Sequence, residues 1–299
     1  MKKGVLLALG AYFIWGVFPL YWKQIKQVPS TEILAHRVVW SFVFMTITLA
    51  WRGEWTSLWA ALREPAVRRT SLLAGGLLAG NWVTYIGAVN SGYVVEASLG
   101  YFINPLVSVL LGVLFLKERL RRGQTAAVLL ALGGVLYLTF GYGTLPWIAL
   151  LLAGTFGLYG LVKKTSLLDA PKGLTAEMMA LFVPALGYLL FLEARGRAAF
   201  GHQDARTTAM LAFAGVVTAV PLMMFGAGAR RIPLSMVGFL QYLAPTMQFL
   251  IGVLVYGEPF PLERLLGFSL VWLGLLVYVL EGWWHMAGAG GRTVLSPGD

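Results

Sequence analysis

The chain reads as ten long apolar runs separated by short charged or turn-forming segments, near residues 4–22, 33–51, 71–91, 95–116, 124–140, 146–162, 175–192, 208–229, 234–256 and 265–284. A helix needs about 20 consecutive apolar residues to cross the hydrocarbon of a bilayer. Ten such spans take roughly 200 positions of the 299 present, so little chain remains for a globular domain. Only 12% of the residues are charged, where an ordinary soluble domain carries about a quarter. The first run is expected to be a true span, because it continues through Tyr12, Trp15, Pro19 and Trp22 with no small-residue cleavage site. The expected fold is an all-α polytopic membrane protein of ten transmembrane helices.

The net charge of +10 would suggest nucleic acid in a soluble protein. Here its meaning depends on which loops hold it. With the N-terminus cytoplasmic, all but Lys23, Lys26, Arg37, Arg195, Arg197, Arg206 and Arg264 of the 23 lysines and arginines fall on the inner side. Basic residues resist translocation and acidic ones count for little, so both termini are expected to be cytoplasmic. The positive charge then reports topology in a lipid bilayer, and no nucleic-acid partner is expected. In 51–62, Trp51, Trp55, Leu58, Trp59 and Leu62 recur at helical spacing and predict a short amphipathic helix on the inner surface. Residues 195–207 read as a solvated outer loop, and 286–299 as a disordered cytoplasmic tail.

Sliding the chain over itself by 140 residues places Pro105 on Pro245, Gly112 on Gly252, Glu118 on Glu258 and Gly134 on Gly274. Phe102 falls on Tyr242, Ser108 on Gln248 and Tyr85 on Phe225 in the same register. Two five-helix halves, 1–142 and 143–285, account for the match. An odd number of spans per half inverts the second copy in the membrane, which places a cavity between two inverted repeats. Pro19, Pro105 and Pro245 each free a backbone carbonyl and predict helix kinks. Gly112, Gly252, Gly134 and Gly274 read as close-packing positions, and Gly76 with Gly80 as a small-residue contact.

Polar groups at mid-span depth need partners or water, so they mark faces that point into the bundle. Tyr101, Pro105 and Ser108 share a face of the fourth span, and Gln241, Pro245 and Gln248 share the matching face of the ninth. Asn104 and Tyr242 flank these stripes, and Asn81 with Tyr85 forms an i, i+4 pair on the third span. Tyr12, Trp15 and Pro19 line one face of the first span, Phe156 and Tyr159 belong to the sixth, and Trp40 and Trp82 are further mid-span rings. A pocket built from these residues suits planar or apolar substrates. Interhelical hydrogen bonding and core packing are the competing roles, and Trp22, Trp51, Trp147, Trp283 and Trp284 sit where interface-belt residues belong.

Charge inside the spans is rarer. His36 and Arg37 lie one turn into the second span and Glu96 begins the fourth, all toward the outer face. An Arg37–Glu96 pair would reduce the desolvation of both, acting with His36 as a gate, an anchor for a zwitterionic substrate or a proton-coupling site. A snorkelling helix anchor is the alternative. Lys163, next to Lys164, reads as an inner-surface anchor. Glu118 and Glu258 oppose the dipole at helix C-termini, so each calls for an offsetting partner at the start of the following helix. There is no cysteine, and the histidines are His36, His202 and His285, which removes disulfides and thiolate metal sites. The chain has no His-Glu-x-x-His, no Gly-x-Ser-x-Gly and no phosphate-binding glycine loop. No enzyme activity, cofactor or metal is expected.

The segments Ala11-Tyr12-Phe13-Ile14-Trp15-Gly16, His36-Arg37-Val38-Val39-Trp40-Ser41, Gly80-Asn81-Trp82, Glu96 to Leu106 and Gln241-Tyr242-Leu243-Ala244-Pro245-Thr246, with Gly257-Glu258, occur in this order. Together they resemble the RarD branch of the EamA-type drug/metabolite transporters over nearly the whole chain. That resemblance implies a ten-helix inner-membrane carrier with a central cavity, in a superfamily that includes exporters of amino acids and other metabolites. The expectation is a secondary transporter working by alternating access, an exporter of small amphipathic metabolites such as aromatic or hydrophobic amino acids. A drug-related carrier and a non-transporting structural membrane subunit are the other classes this sequence admits. It does not specify substrate, direction, energy coupling or oligomeric state.

Overall fold

The computed structural model describes residues 1–141, 145–257 and 262–290. Its helices are α1 (Lys2–Trp22), α2 (Ser30–Trp51), α3 (Trp55–Arg63), α4 (Pro65–Asn90), α5 (Val94–Leu116), α6 (Arg122–Phe140), α7 (Trp147–Thr165), α8 (Ala170–Ala194), α9 (Ala205–Ala229), α10 (Leu234–Gln241), α11 (Leu243–Leu250) and α12 (Leu262–Gly290). α10, α11 and a π-helical turn at Ile251–Val255 form one interrupted span. Among the described residues ten helical stretches are long and apolar enough to cross a bilayer, and the protein is an all-α polytopic membrane protein. α3 is the short amphipathic helix, with Leu58 buried and Trp59 exposed.

Several helices begin ahead of their apolar runs, because hydropathy marks the lipid-embedded part while capping decides where hydrogen bonding starts. α4 starts at Pro65, whose missing N–H costs nothing in the first turn. α8 starts behind Asp169, which accepts from the Lys172 amide at 3.1 Å. α9 starts behind Asp204, which accepts from the Thr207 amide at 2.9 Å and its hydroxyl at 2.7 Å. The backbone of α12 runs to Gly290, into the segment 286–299 expected as a tail. Glu258 and residues 291–299 lie outside the described residues, and so do the side chains of Glu263, Arg264, Trp283 and His285.

The spans pack across the chain. α1 lies against α9, α10 and α11; α2 against α8 and α9; α4 against α7 and α8; α5 against α7 and α10. α6 and α12 form a peripheral pair, joined where a Cβ on Gly134 would stand 2.6 Å from the Gly267 carbonyl oxygen. The expected Gly76–Gly80 contact is not present: both face open space, and it is Gly75 that packs on Glu177 of α8. Pro19 and Pro105 sit inside continuous helices, whereas a break accompanies Pro245. Proline 245 cannot bond the carbonyl four residues back, and the helix is interrupted at Tyr242, one position after that carbonyl.

Two further expectations are corrected. The loop over 195–204 is not a plain solvated connection: Ala199 is buried with Ile25, Val28 and Leu211, and its amide donates to Glu32 at 2.7 Å. Its Phe200 ring lies 5.0 Å from His36 and 5.8 Å from Trp40. Glu118 does have a helix start as its partner, but that of α10 and not of the following helix. One carboxylate oxygen accepts from the Leu234 amide at 2.6 Å, and the other accepts from the Ser235 amide at 2.9 Å and its hydroxyl at 2.7 Å. The turn that aims it places Lys117 at φ 55°, a left-handed conformation that Gly257 also adopts at φ 65°. A side chain on Gly112 would stand 2.7 Å from the Glu118 carboxylate, so that glycine leaves the carboxylate its space.

Removing the Glu118 carboxylate leaves the amides at the start of α10 without their charged acceptor. Glu118→Ala should therefore destabilise the protein by about 1–3 kcal/mol, read as reversible unfolding in detergent, with Glu118→Gln retaining part of the difference. The hydrogen bonds from Thr207 hold the Asp204 carboxyl below its usual range. A carboxylate depressed in the folded state stabilises above its unfolded pKa and loses that contribution as pH falls through the folded one. Thermal stability should thus decline below about pH 4 in the wild type, and Asp204→Asn should show a smaller acid-dependent decline in the same melting series.

Candidate functional site

A cavity of about 330 Å³ lies among α1, α2, α4, α5, α7, α9, α10 and α11. That falls in the usual range of small-molecule sites, roughly 300–1,000 Å³. The walls are aromatic: Tyr12, Trp15, Phe18, Trp22, Trp82, Tyr85, Tyr101 and Phe156. The polar groups are Arg37, Asn81, Asn104, Thr218, Gln241 and Gln248, and Pro19 and Pro245 complete the lining beside a few aliphatic positions. These residues occupy the C-terminal half of α1 and the N-terminal half of α5, so the cavity extends from mid-span toward one end of the bundle.

Different physical reasons hold the lining side chains. Pro19 frees the Trp15 carbonyl four residues back, and Gln248 donates to that oxygen at 3.0 Å. Asn81 donates to the Leu152 carbonyl at 2.9 Å and to the Thr155 hydroxyl at 3.0 Å, joining α4 to α7. Tyr85 and Tyr101 meet edge to face at 6.0 Å. Arg37 donates through Nε to the Thr218 hydroxyl at 3.0 Å, and its guanidinium lies 4.6 Å from the Trp82 ring centroid and 5.2 Å from that of Trp22. Each such ring contact stabilises a cation by about 0.5–2 kcal/mol. Three polar atoms of the lining are buried without a hydrogen-bond partner: the Tyr12 hydroxyl, Asn104 Oδ1 and Gln241 Oε1.

One end of the cavity is closed by packed rings. Phe225 has Tyr12, Trp15, Phe156 and Tyr159 at centroid distances of 6.2, 5.7, 5.3 and 5.9 Å. Beyond this layer, further along α7, Lys163 and Glu177 form an ion pair of 2.7 Å with side chains 3% and 2% exposed. Tyr159 donates to the second Glu177 oxygen at 3.0 Å. Lys163 is therefore not the surface anchor expected from its neighbour Lys164, which reaches the Ile232 carbonyl instead.

The structure brings Tyr12, Trp15, Asn81, Trp82, Tyr85, Tyr101, Asn104, Gln241 and Gln248 to the cavity, with Arg37 beside them. Other expected residues lie elsewhere. Tyr159 is fully buried under Phe225, Tyr242 is buried with its hydroxyl directed at the Phe102 carbonyl, and Ser108 packs on Gly238 between α5 and α10. His36 and Trp40 sit beneath Phe200, and His36 lies 3.7 Å from Glu32. No ion pair joins Arg37 to Glu96: Glu96 accepts from the Ile148 amide at 2.7 Å, at the start of α7. Thr218, Phe225, Glu32 and Glu177 were missed in the sequence. Glu177 carried the same signal as Glu96, a carboxylate inside an apolar run, and Thr218 is a hydroxyl at mid-span.

A buried pair protects each of its charges, so breaking it from one side should cost more than removing both. Lys163→Met and Glu177→Gln should each destabilise the protein by about 3–5 kcal/mol. The double variant Lys163→Met/Glu177→Gln should fall well short of the sum of the single effects, as measured by a double-mutant cycle of unfolding in detergent.

A ten-span bundle around an amphipathic cavity defines a polytopic membrane protein of the transporter class. A family model for EamA-like transporters matches residues 2–140. The uncharacterized transporter YojE of Bacillus subtilis is 50% identical over 283 residues, with 94% of each chain covered. Protein RarD of Escherichia coli is 43% identical, with 94% of this chain and 95% of that one covered. The chloramphenicol-sensitive protein RarD of Pseudomonas aeruginosa is 33% identical with 94% of each covered. A protein crystal structure superposes at a TM-score of 0.71 with 20% identity, covering 94% of this chain and 97% of that one, which supports the fold. The chain belongs to the RarD-type branch of the EamA-like drug/metabolite transporter family.

Proposed function

We propose that the protein is a secondary carrier, not an enzyme, which exports small amphipathic metabolites such as aromatic and hydrophobic amino acids across the bacterial inner membrane. The observation that carries this reading is the cavity itself, where aromatic walls and unpartnered amide oxygens meet on helices drawn from both halves of the chain. Planar apolar bodies suit the rings, and Tyr12, Asn104 and Gln241 offer hydrogen bonds to a polar end.

The packing supports alternating access. Two inverted halves would pair α1 with α9 as α4 pairs with α7, and α2 with α9 as α4 pairs with α8, and these pairings are present. With both termini cytoplasmic, the cavity lies toward the outer side and the Phe225 layer closes the inner side. In the opposite state the rings around Phe225 would part while the outer residues Trp22, Tyr85 and Tyr101 close together. The absence of a nucleotide-binding motif from the chain leaves an ion or substrate gradient as the driving force.

Proteoliposomes containing the full chain should show saturable flux of labelled phenylalanine or tryptophan, and everted membrane vesicles should accumulate the same compound. Asn81→Ala, Tyr101→Ala and Gln241→Ala should each lower the initial rate about tenfold without lowering the amount of protein in the membrane. Unchanged rates in all three variants would remove the site assignment, and no saturable flux by the wild type would remove the carrier reading for these substrates.

A further inference from the structure

The Arg37 guanidinium faces the cavity without a counter-ion. Its Nε is used by Thr218, but neither terminal nitrogen donates to a described residue. The faces of Trp22 and Trp82 hold the charge in place without neutralising it. Among the described lining residues there is no aspartate or glutamate; Glu96 is committed to the start of α7, and Glu32, five residues back on α2, accepts from the Ala199 amide beside His36. Retaining an uncompensated cation in surroundings this apolar is costly. A planar guanidinium with two free terminal nitrogens has the fork geometry that binds a carboxylate through both oxygens.

We propose that the cavity selects net-anionic amphipathic substrates, which dock a carboxylate on Arg37, stack an aromatic or apolar body among Trp15, Trp22 and Trp82, and present a hydroxyl or amide to Asn104 and Gln241. This rests on the carrier reading above and, among small amphipathic metabolites, ranks carboxylate monoanions ahead of the zwitterionic amino acids. A monoanion makes the occupied site neutral. A zwitterion leaves it with a net positive charge, and a cation adds a second positive charge that no described lining residue offsets. The buried, unpartnered oxygens Asn104 Oδ1 and Gln241 Oε1 are the second observation, since they belong to amides that both accept and donate and so can meet an uncharged polar group.

The test compares three ligands with the same phenyl body on the purified full chain at neutral pH: 3-phenyllactate, phenylalanine and 2-phenylethylamine. Binding is read by calorimetry and by quenching of tryptophan fluorescence, since tryptophans line the cavity. Phenyllactate should bind at least tenfold more tightly than the amine and more tightly than phenylalanine. Arg37→Gln should abolish that ranking, and Arg37→Lys should preserve its order with weaker anion binding, because lysine keeps the charge but not the fork. Equal or tighter binding of the amine or the amino acid, no binding of phenyllactate, or an unchanged ranking in folded Arg37→Gln would each overturn the proposal. If that variant fails to fold, the wild-type ranking decides. Flux in proteoliposomes separates the two readings: anion-selective binding without flux removes the carrier and leaves this site, whereas phenylalanine flux without anion preference does the reverse.

Discussion

Inside a bilayer a polar group has no water to fall back on, and at the ends of the spans four backbone amides of the second half of the chain are met by carboxylates that reach across from the first. Glu32 holds the Ala199 amide, Glu96 the Ile148 amide, and Glu118 the amides of Leu234 and Ser235. Each satisfies N–H groups that a helix start or a loop leaves unpaired, and each complements the positive end of a helix or a turn with a negative charge. These contacts fix where α7 and α10 begin relative to α5 and how the loop before α9 folds over α2. The walls of the cavity follow from that placement.

The prolines act through the same constraint. A missing N–H leaves one carbonyl free. At Pro19 that carbonyl is taken by Gln248, which ties α1 to α11. At Pro245 the span breaks into α10 and α11. Polar groups that could have lined the cavity are therefore partly used to build it, as Asn81 shows by bonding α7. Among the lining residues, the groups left without a partner are the Arg37 terminal nitrogens and the buried oxygens of Tyr12, Asn104 and Gln241. On the opposite side of the Phe225 layer, Lys163, Glu177 and Tyr159 satisfy one another with no space between them. The two ends of the bundle thus differ in kind, one open with unpartnered polar groups, the other packed and paired.

Much of this was legible in the residues. The ten spans, the short helix beside Trp55 and most of the lining positions follow from hydropathy and helical spacing, because lipid imposes both on any spanning chain. The failures share a cause. Trp40, Ser108, Tyr159 and Tyr242 have the depth and polarity of cavity residues, but the rotation of each helix about its own axis decides whether such a residue meets the cavity or a neighbouring helix. Partner choice failed similarly: Arg37 and Glu96 are both charged and toward the same end, yet Thr218 and the start of α7 claimed them.

The sequence by itself determined that the chain crosses a bilayer ten times, that few charges enter the spans, and that rings and amides recur at mid-span, since each of these is a property of one segment in contact with lipid. Only the tertiary structure decided which of those groups pair and which stay open. That choice depends on contacts between segments far apart in the chain, such as Glu32 with Ala199 and Lys163 with Glu177. A helix presents all its faces in its sequence, and only packing against other helices selects the one that remains exposed to a cavity.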